Sequence, residues 1–162
     1  MQSSKEEFLE ILANYQGILY KVSMVYFRNP SDQEDNIQEI IYQLWKSFPK
    51  LKKRQSIGSW IYAVSINTSL SRIKTKNNIE YSDEVPELPE TSGIFEKLTV
   101  EEDLRALLNA IYNLDEISKS IMLLYLEEKS YEEIAEIIGI STSNVGVRIN
   151  RAKEVIKRYF KK

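Results

Sequence analysis

Residues 130–153, near the end of the chain, carry side chains of the kinds that read DNA. The second half of this run is rich in basic and small polar residues, and no acidic residue lies between Glu136 and Glu154. Such side chains hydrogen-bond to base edges and phosphates, which is recognition chemistry and needs no nucleophile. Six outward-facing residues are predicted to contact DNA: Thr142, Ser143, Gly146, Arg148, Asn150 and Arg151.

These six residues are expected to make two kinds of contact with DNA. The two arginines would hold phosphates, whereas Thr142, Ser143 and Asn150 would reach base edges. For Arg148 the alternative is an ion pair inside the protein, with Glu132 or Glu133. Gly146 costs about 1 kcal/mol of helix propensity relative to alanine, and a close approach of the backbone to DNA would compensate for that cost.

Two short helices joined by a tight turn must position these side chains. Ser130 and Glu133 have the spacing of a capping box, and Gly139 can adopt the left-handed conformation that ends a helix. Ser141 can then cap the second helix. Apolar residues recur at helical spacing in both segments, at Tyr131, Ile134, Ala135, Ile138, Val145, Ile149, Ala152 and Ile156. The pattern predicts a helix-turn-helix whose second helix faces DNA.

Composition argues against several kinds of chemistry. The 162 residues include no cysteine and no histidine, so the chain lacks thiolates, the usual general base and the commonest metal ligand. No run of about 18 apolar residues occurs, and the charged N-terminus lacks the apolar centre of a signal peptide. We therefore expect a cytoplasmic protein that is not an enzyme and has no metal or cofactor.

Charge is strongly segregated along the chain. Residues 1–79 have 11 basic and 7 acidic side chains, residues 80–116 have 2 and 11, and residues 117–162 have 9 and 6. Between Ile40 and Ile79 there are 8 basic residues and no acidic one. Two basic segments thus flank an acidic connector, which favours a polyanionic partner, although a solvated charged surface is the alternative.

The first half of the chain contains three helix patterns, of which two are clearly bounded. The first helix is predicted to begin at Ser4 and to stop before Pro30. A capping box formed by Ser31 and Glu34 is predicted to begin the second helix, which should end at Pro49.

A third helix is predicted from about Ser56 to Lys76, after a short basic loop. Its buried residues are expected to be Trp60, Ile61, Val64 and Leu70, with a polar strip formed by Asn67, Ser71 and Lys74. Tyr62 is expected to be exposed and available for stacking on a base. Trp60 is expected in the core, with a stacking surface as the alternative.

Glycine and proline are scarce and the apolar periods are close to 3.6 residues, so we predict an all-α protein. Residues 77–94 are polar, acidic and aperiodic, which predicts a flexible linker. The chain is therefore expected to form two small helical bundles, residues 1–76 and 95–162, joined by residues 77–94.

The chain resembles the extracytoplasmic function (ECF) sigma factors of the sigma-70 family over almost its full length. The stretch SDQEDNIQEI at residues 31–40, followed by Leu44 and Trp45, is similar to sigma region 2.2. Residues 59–62, SWIY, followed by Asn67, are similar to regions 2.3 and 2.4. The helix-turn-helix is similar to region 4. The acidic stretch and its tryptophan helix distinguish this family from other helix-turn-helix proteins.

The resemblance implies a factor that directs bacterial core RNA polymerase to promoters and helps to melt them. Region 2.2 would bind the clamp of the largest polymerase subunit, and the flap is a further expected contact. Four residues would carry the clamp contact: Asp32, Asp35, Gln38 and Glu39. The minus-ten element would contact Lys52, Lys53, Arg54, Tyr62, Asn67, Ser71 and Lys74. The minus-thirty-five element would contact the six residues of the helix-turn-helix named above.

The resemblance also implies an anti-sigma partner and a free chain that is a monomer. The acidic linker would thread through the polymerase, or would serve only as a tether. The chain departs from the family's usual residues at Ile66, Ser71 and Gly146, so the promoter sequence is not predicted.

Two other functions remain open from the sequence. A stand-alone helix-turn-helix regulator would be a dimer on palindromic DNA. A protein-interaction module would keep its partner when Arg148 and Arg151 are reversed in charge.

Overall fold

The computed structural model describes residues 4–51, 56–75 and 102–161, and this part of the chain is helical, without a strand. The all-α prediction is therefore confirmed. In chain order the α-helices are α1 Ser4–Tyr26, α2 Pro30–Ser47, α3 Ile57–Lys74, α4 Glu102–Tyr112, α5 Glu116–Leu126, α6 Tyr131–Ile138 and α7 Thr142–Phe160, with a short 3₁₀ helix at Phe48–Lys50. We call α1–α3 the N-terminal unit and α4–α7 the C-terminal unit. The predicted linker, 77–94, lies outside the described residues.

The start of α2 differs from the prediction. Asn29, rather than Ser31, is the N-cap: its side chain accepts a hydrogen bond from the Ser31 backbone N–H at 2.8 Å, and Pro30 occupies the first helical turn. The predicted capping box of Ser31 and Glu34 is therefore wrong by two residues. Proline at the first position of a helix loses no hydrogen bond, because the first N–H groups lack intrahelical acceptors.

The buried face of α3 also differs from the prediction. Tyr62 is 1% exposed and Ile66 is 2% exposed, whereas Trp60, Val64 and Leu70 are only partly buried. The expectation that Tyr62 is exposed was wrong. Helical periodicity does not predict this burial, because residues that cover Tyr62 come from the other half of the chain.

The helix-turn-helix is confirmed in detail. The Ser130 side chain accepts a hydrogen bond from the Glu133 N–H at 3.1 Å, and the Glu133 carboxylate accepts one from the Ser130 N–H at 3.2 Å. Gly139 ends α6 with a φ of 84°, and the Ser141 hydroxyl caps α7 by accepting from the Asn144 N–H at 3.1 Å. The turn between α6 and α7 is thus fixed by local hydrogen bonds and by a residue that tolerates positive φ.

Two apolar clusters form the interior. One lies wholly within the N-terminal unit and includes Phe8, Leu19, Ile41 and Leu44. The other is shared between the two units, and it joins the end of α1 and one face of α3 to residues of α4, α5, α6 and α7. The two units therefore pack directly against each other.

A buried polar group connects the three helices of the N-terminal unit. The Asn36 amide of α2 donates to the Ser23 hydroxyl of α1 at 3.0 Å and to the Ser69 hydroxyl of α3 at 2.9 Å. The Ser69 hydroxyl donates in turn to the Ser65 carbonyl at 2.7 Å. Because buried polar groups are costly when unpaired, these bonds fix how α1, α2 and α3 sit against one another.

Candidate nucleic-acid interface

Helix α7 separates its side chains as a recognition helix requires. Val145, Ile149 and Ala152 are buried, so the packing that fixes the helix does not depend on its outer face. Among the six predicted DNA contacts, Thr142, Ser143, Asn150 and Arg151 are exposed, while Gly146 and Arg148 are partly buried. Val147 is also exposed on this side, at 48%.

The charge of α7 favours an anionic partner. The helix carries five basic side chains and one acidic side chain, Glu154. Its N-terminus, with the partial positive charge of the helix dipole, lies beside the exposed Thr142 and Ser143. Lys153 contacts another helix of the protein. Its ammonium lies 4.8 Å from the Tyr125 ring centroid, and a hydrogen bond with Tyr125 raises the pKa of Lys153.

Arg148 lies beside an acidic residue that the sequence did not single out. Nη1 of Arg148 is 3.5 Å from Oδ1 of Asp115, the residue that caps α5. The alternative predicted for Arg148, a pair with Glu132 or Glu133, does not match this geometry. Asp115, Asn144, Arg148 and Arg151 line one groove of about 350 Å³ beside the recognition helix.

Gly146 faces the protein as much as the outer surface. A β-carbon at this position would lie 3.4 Å from Cε2 of Tyr131, a residue of α6. That distance is an ordinary van der Waals contact, so the glycine lets α6 and α7 approach closely without being strictly required.

Helix α3 presents the predicted polar strip. Asn67, Ser71 and Lys74 are all exposed. Asn67 and Ser71 line an open groove of about 420 Å³ between α2 and α3, together with Glu39 and Gln43 of α2. Glu39, predicted to contact the polymerase, therefore shares a groove with two residues predicted to contact DNA. Gln43 was not identified from the sequence.

Another predicted minus-ten contact, Tyr62, does not lie on this surface. Tyr62 is buried against the C-terminal unit and cannot stack on a base in this arrangement. Its burial, together with the nearby charge of Glu127, raises the pKa of its hydroxyl above the usual range. Lys52, Lys53 and Arg54 lie outside the described residues.

The four acidic and amide residues of α2 lie on its outer side. Asp35 is exposed, and Asp32, Gln38 and Glu39 are partly exposed, while Ile37 and Ile41 of the same helix are buried. The arrangement matches the predicted separation between the packed face and the contact face. Spacings of three, four and seven residues bring the outer side chains onto one strip.

The described parts of the chain show no group of three or more acidic residues arranged to hold a metal ion. No helix among them is long and apolar enough to cross a membrane.

Comparisons with known proteins find the same two segments. Residues 11–79 match the model of sigma-70 region 2, and residues 104–156 match that of sigma-70 region 4. The chain is 26% identical to the RNA polymerase sigma factor SigV of Bacillus subtilis, over 96% of this chain and 92% of the relative. It is 23% identical to the ECF RNA polymerase sigma factor SigW of the same species, over 97% and 90%.

A solved structure has the same fold. The sigma factor RpoE, crystallised in complex with the anti-sigma factor NepR from Bartonella quintana, superposes with a TM-score of 0.68 at 18% identity. The match covers 97% of this chain and 96% of RpoE. These findings favour the sigma-factor prediction over the stand-alone regulator, and the chain belongs to the sigma-70 family of RNA polymerase sigma factors, in its ECF group.

Proposed function

We propose that this sigma factor binds bacterial core RNA polymerase through the outer strip of α2 and reads promoter DNA with α3 and α7. The observation that carries the proposal is that each surface stands outside a packed core: the strip of α2 opposite Ile37 and Ile41, the polar strip of α3, and the outer face of α7. The proposed site of action is the bacterial cytoplasm, and the role requires no catalysis by the chain itself.

The polymerase contact would be electrostatic. Asp32, Asp35 and Glu39 place negative charge on one side of α2, and Gln38 adds an amide. Charged contacts of this kind set orientation and association rate more than affinity. A partner surface rich in lysine and arginine, on the clamp of the largest subunit, fits this strip, and the flap is the proposed contact for the C-terminal unit.

The two DNA contacts would differ in chemistry. In α7, Arg151 is exposed and suited to a phosphate, while Thr142, Ser143 and Asn150 are suited to base edges. In α3, the groove lined by Asn67 and Ser71 offers hydrogen-bonding groups to an unpaired strand of the minus-ten element, with Lys74 nearby for its backbone.

An anti-sigma factor is the proposed regulator. The support is the similarity of the fold to RpoE, which was crystallised with the anti-sigma factor NepR. Such a partner would bind the same surfaces that the polymerase needs.

The experiment is a pull-down of the purified chain with core RNA polymerase, for the wild type and for Gln38→Lys/Glu39→Lys. A matched control, Glu6→Lys/Glu10→Lys, reverses two exposed charges of α1, a helix to which the proposal assigns no contact with polymerase or DNA. Binding that only the first variant loses supports the proposal. Absence of wild-type binding, with a helical circular-dichroism spectrum, contradicts it.

A further inference from the structure

The contact between the two units covers one face of the helix proposed to read the minus-ten element. Ser59, Tyr62 and Ile66 lie on one side of α3, at spacings of three and four residues. Tyr62 and Ile66 belong to the apolar cluster shared with the C-terminal unit. Ser59 accepts a hydrogen bond from the Lys129 ammonium at 3.5 Å, just before α6. The C-terminal unit thus lies against α3 beside the strip that carries Asn67.

Further polar contacts cross the boundary between the described parts of the two units. At one place, the Lys21 ammonium of α1 lies 2.6 Å from the Glu127 carboxylate, which follows α5. The hydroxyl of Tyr62 lies near this pair but makes no hydrogen bond of good geometry with any described residue. Both members of the pair retain about a third of their side-chain exposure, so the pair can break without burying an unpaired charge.

At another place, cations and aromatic rings alternate. Lys119 of α5 is only 5% exposed, and its ammonium lies 5.4 Å from the Tyr26 ring and 4.7 Å from the Tyr112 ring. Arg28 stacks on Tyr112 at 4.3 Å. The Tyr26 hydroxyl donates to the Glu116 carbonyl at 3.0 Å. Cation–π contacts are strongest when the cation is shielded from water, as Lys119 is.

We call the arrangement in which the two units pack against each other the closed arrangement. In this arrangement the chain is too short to reach both promoter elements at once. Elements centred about ten and thirty-five base pairs upstream lie roughly 85 Å apart on straight DNA, at about 3.4 Å per base pair. A compact chain of this length has a radius of gyration of about 15 Å, hence a diameter of about 40 Å. The two units must separate before both can read the promoter.

We propose that the closed arrangement is an autoinhibited resting state, with the Lys21–Glu127 ion pair as its latch and the Tyr26–Lys119–Tyr112 cluster as a second contact that holds the units together. The inference rests on the proposed function. Core polymerase would bind the open form and shift the population toward it, so the apparent affinity for polymerase is lowered by the fraction of chains that are closed.

The test is energy transfer within the free chain. Because the protein has no cysteine, Asn14→Cys on α1 and Glu136→Cys on α6 give two exposed labelling positions, one on each unit. Single-molecule measurements would count closed and open chains. Glu127→Lys places like charges opposite Lys21 and is expected to lower the closed-to-open ratio by about fivefold, as expected for losing a partly exposed pair and gaining repulsion.

Three variants make the result specific. Lys21→Glu/Glu127→Lys restores an opposite-charge pair and should recover most of the closed population, less a residual repulsion from Lys129. Glu154→Lys breaks a longer and more exposed ion pair with Lys157 inside α7, away from the contact between the units, and should leave the ratio unchanged. If Glu127→Lys fails to fold, Tyr26→Phe removes the hydrogen bond to Glu116 and should also lower the ratio.

An unchanged ratio in folded Glu127→Lys, or an equal change in Glu154→Lys, would overturn the latch. Affinity for core polymerase is the second measurement, and it should rise in Glu127→Lys by the same factor as the open fraction. A wild-type chain that does not bind polymerase would contradict the proposed function, yet the energy-transfer result would still decide whether the closed state is latched.

Discussion

Asp115, which caps α5, lies 3.5 Å from the guanidinium of Arg148 in α7. The same carboxylate accepts hydrogen bonds from the Ser118 backbone N–H at 2.8 Å and from the Ser118 hydroxyl at 3.2 Å. One acidic residue therefore begins a helix and partly neutralises an arginine that was predicted to hold a phosphate. The position of α5 beside α7 adds negative charge to a helix whose own sequence is basic.

Asp115→Asn is predicted to strengthen DNA binding. The asparagine oxygen can still cap α5, since asparagine is as good an N-cap as aspartate. Loss of the charge releases Arg148 for a phosphate, so affinity for duplex DNA should rise several-fold at low salt, and log K should fall more steeply with log salt concentration by about one unit of slope. Fluorescence anisotropy with a random-sequence duplex measures both. Glu102→Gln, an exposed acidic residue of α4, is the control and should change neither; an unchanged slope in Asp115→Asn would mean that Arg148 contacts no phosphate.

The helices of each unit could be predicted from the sequence because their signals are local. Ser130, Glu133, Gly139 and Ser141 each act through the backbone within three or four residues, and all four have the predicted roles. At α2 two local signals competed: Asn29 with Pro30, and Ser31 with Glu34. Helix α2 begins after Asn29, because proline has a φ already suited to the first helical turn and lacks the N–H that would need a partner.

This competition predicts different costs for two neighbouring substitutions. Asn29→Ala should lower the free energy of unfolding by about 1 kcal/mol, because the cap bond to the Ser31 N–H is lost. Ser31→Ala should change it by less than about 0.5 kcal/mol, because the exposed Ser31 side chain is not the cap. Urea unfolding followed by circular dichroism gives both values. If Ser31→Ala lowered the free energy of unfolding as much as Asn29→Ala, or more, the result would show that Ser31 caps the helix, as the sequence pattern predicts.

The contact between the units could not be predicted in the same way. The residues of the C-terminal unit that share a cluster with Tyr62 and Ile66 are some 40 to 90 residues away along the chain. Helical periodicity gives the faces of a helix but not which other helix covers each face. The prediction that Tyr62 is exposed failed for this reason.

The substitution Gly146→Ala tests whether the backbone at position 146 approaches DNA. The β-carbon meets Tyr131 at 3.4 Å, and Tyr131 is 37% exposed and able to shift. The change should therefore stabilise the chain by up to about 1 kcal/mol through helix propensity. DNA affinity should stay within about twofold of the wild type if Gly146 serves α6–α7 packing, which corresponds to less than about 0.5 kcal/mol. A more stable protein with DNA binding reduced tenfold or more would instead show that the backbone at Gly146 approaches DNA.

The Lys21–Glu127 pair also predicts how closure depends on pH. Burial acts to raise the pKa of Glu127, but the hydrogen bond from Lys21, the nearby Tyr62 hydroxyl and the charges of Lys21 and Lys129 together outweigh it, so the net pKa is lowered. A carboxylate whose pKa is lower in the closed form stabilises that form above its ordinary pKa, about 4.3, and loses the effect as pH falls through the lowered value. Lys21, Lys129 and the Tyr62 hydroxyl face this carboxylate.

Energy transfer in the doubly labelled chain should therefore be flat from pH 7 to about pH 5 and then decline. Glu127→Gln isolates this group, because it keeps the shape of the side chain and removes the charge. Its closed population should be lower than that of the wild type at pH 7, and the two should converge as the pH falls below the lowered pKa of Glu127. Other carboxylates protonate over the same range in both chains, so only the difference between them reports on Glu127. A difference that persists unchanged at low pH would show that the amide disturbs the contact by shape and that the charge of Glu127 does not hold the two units together.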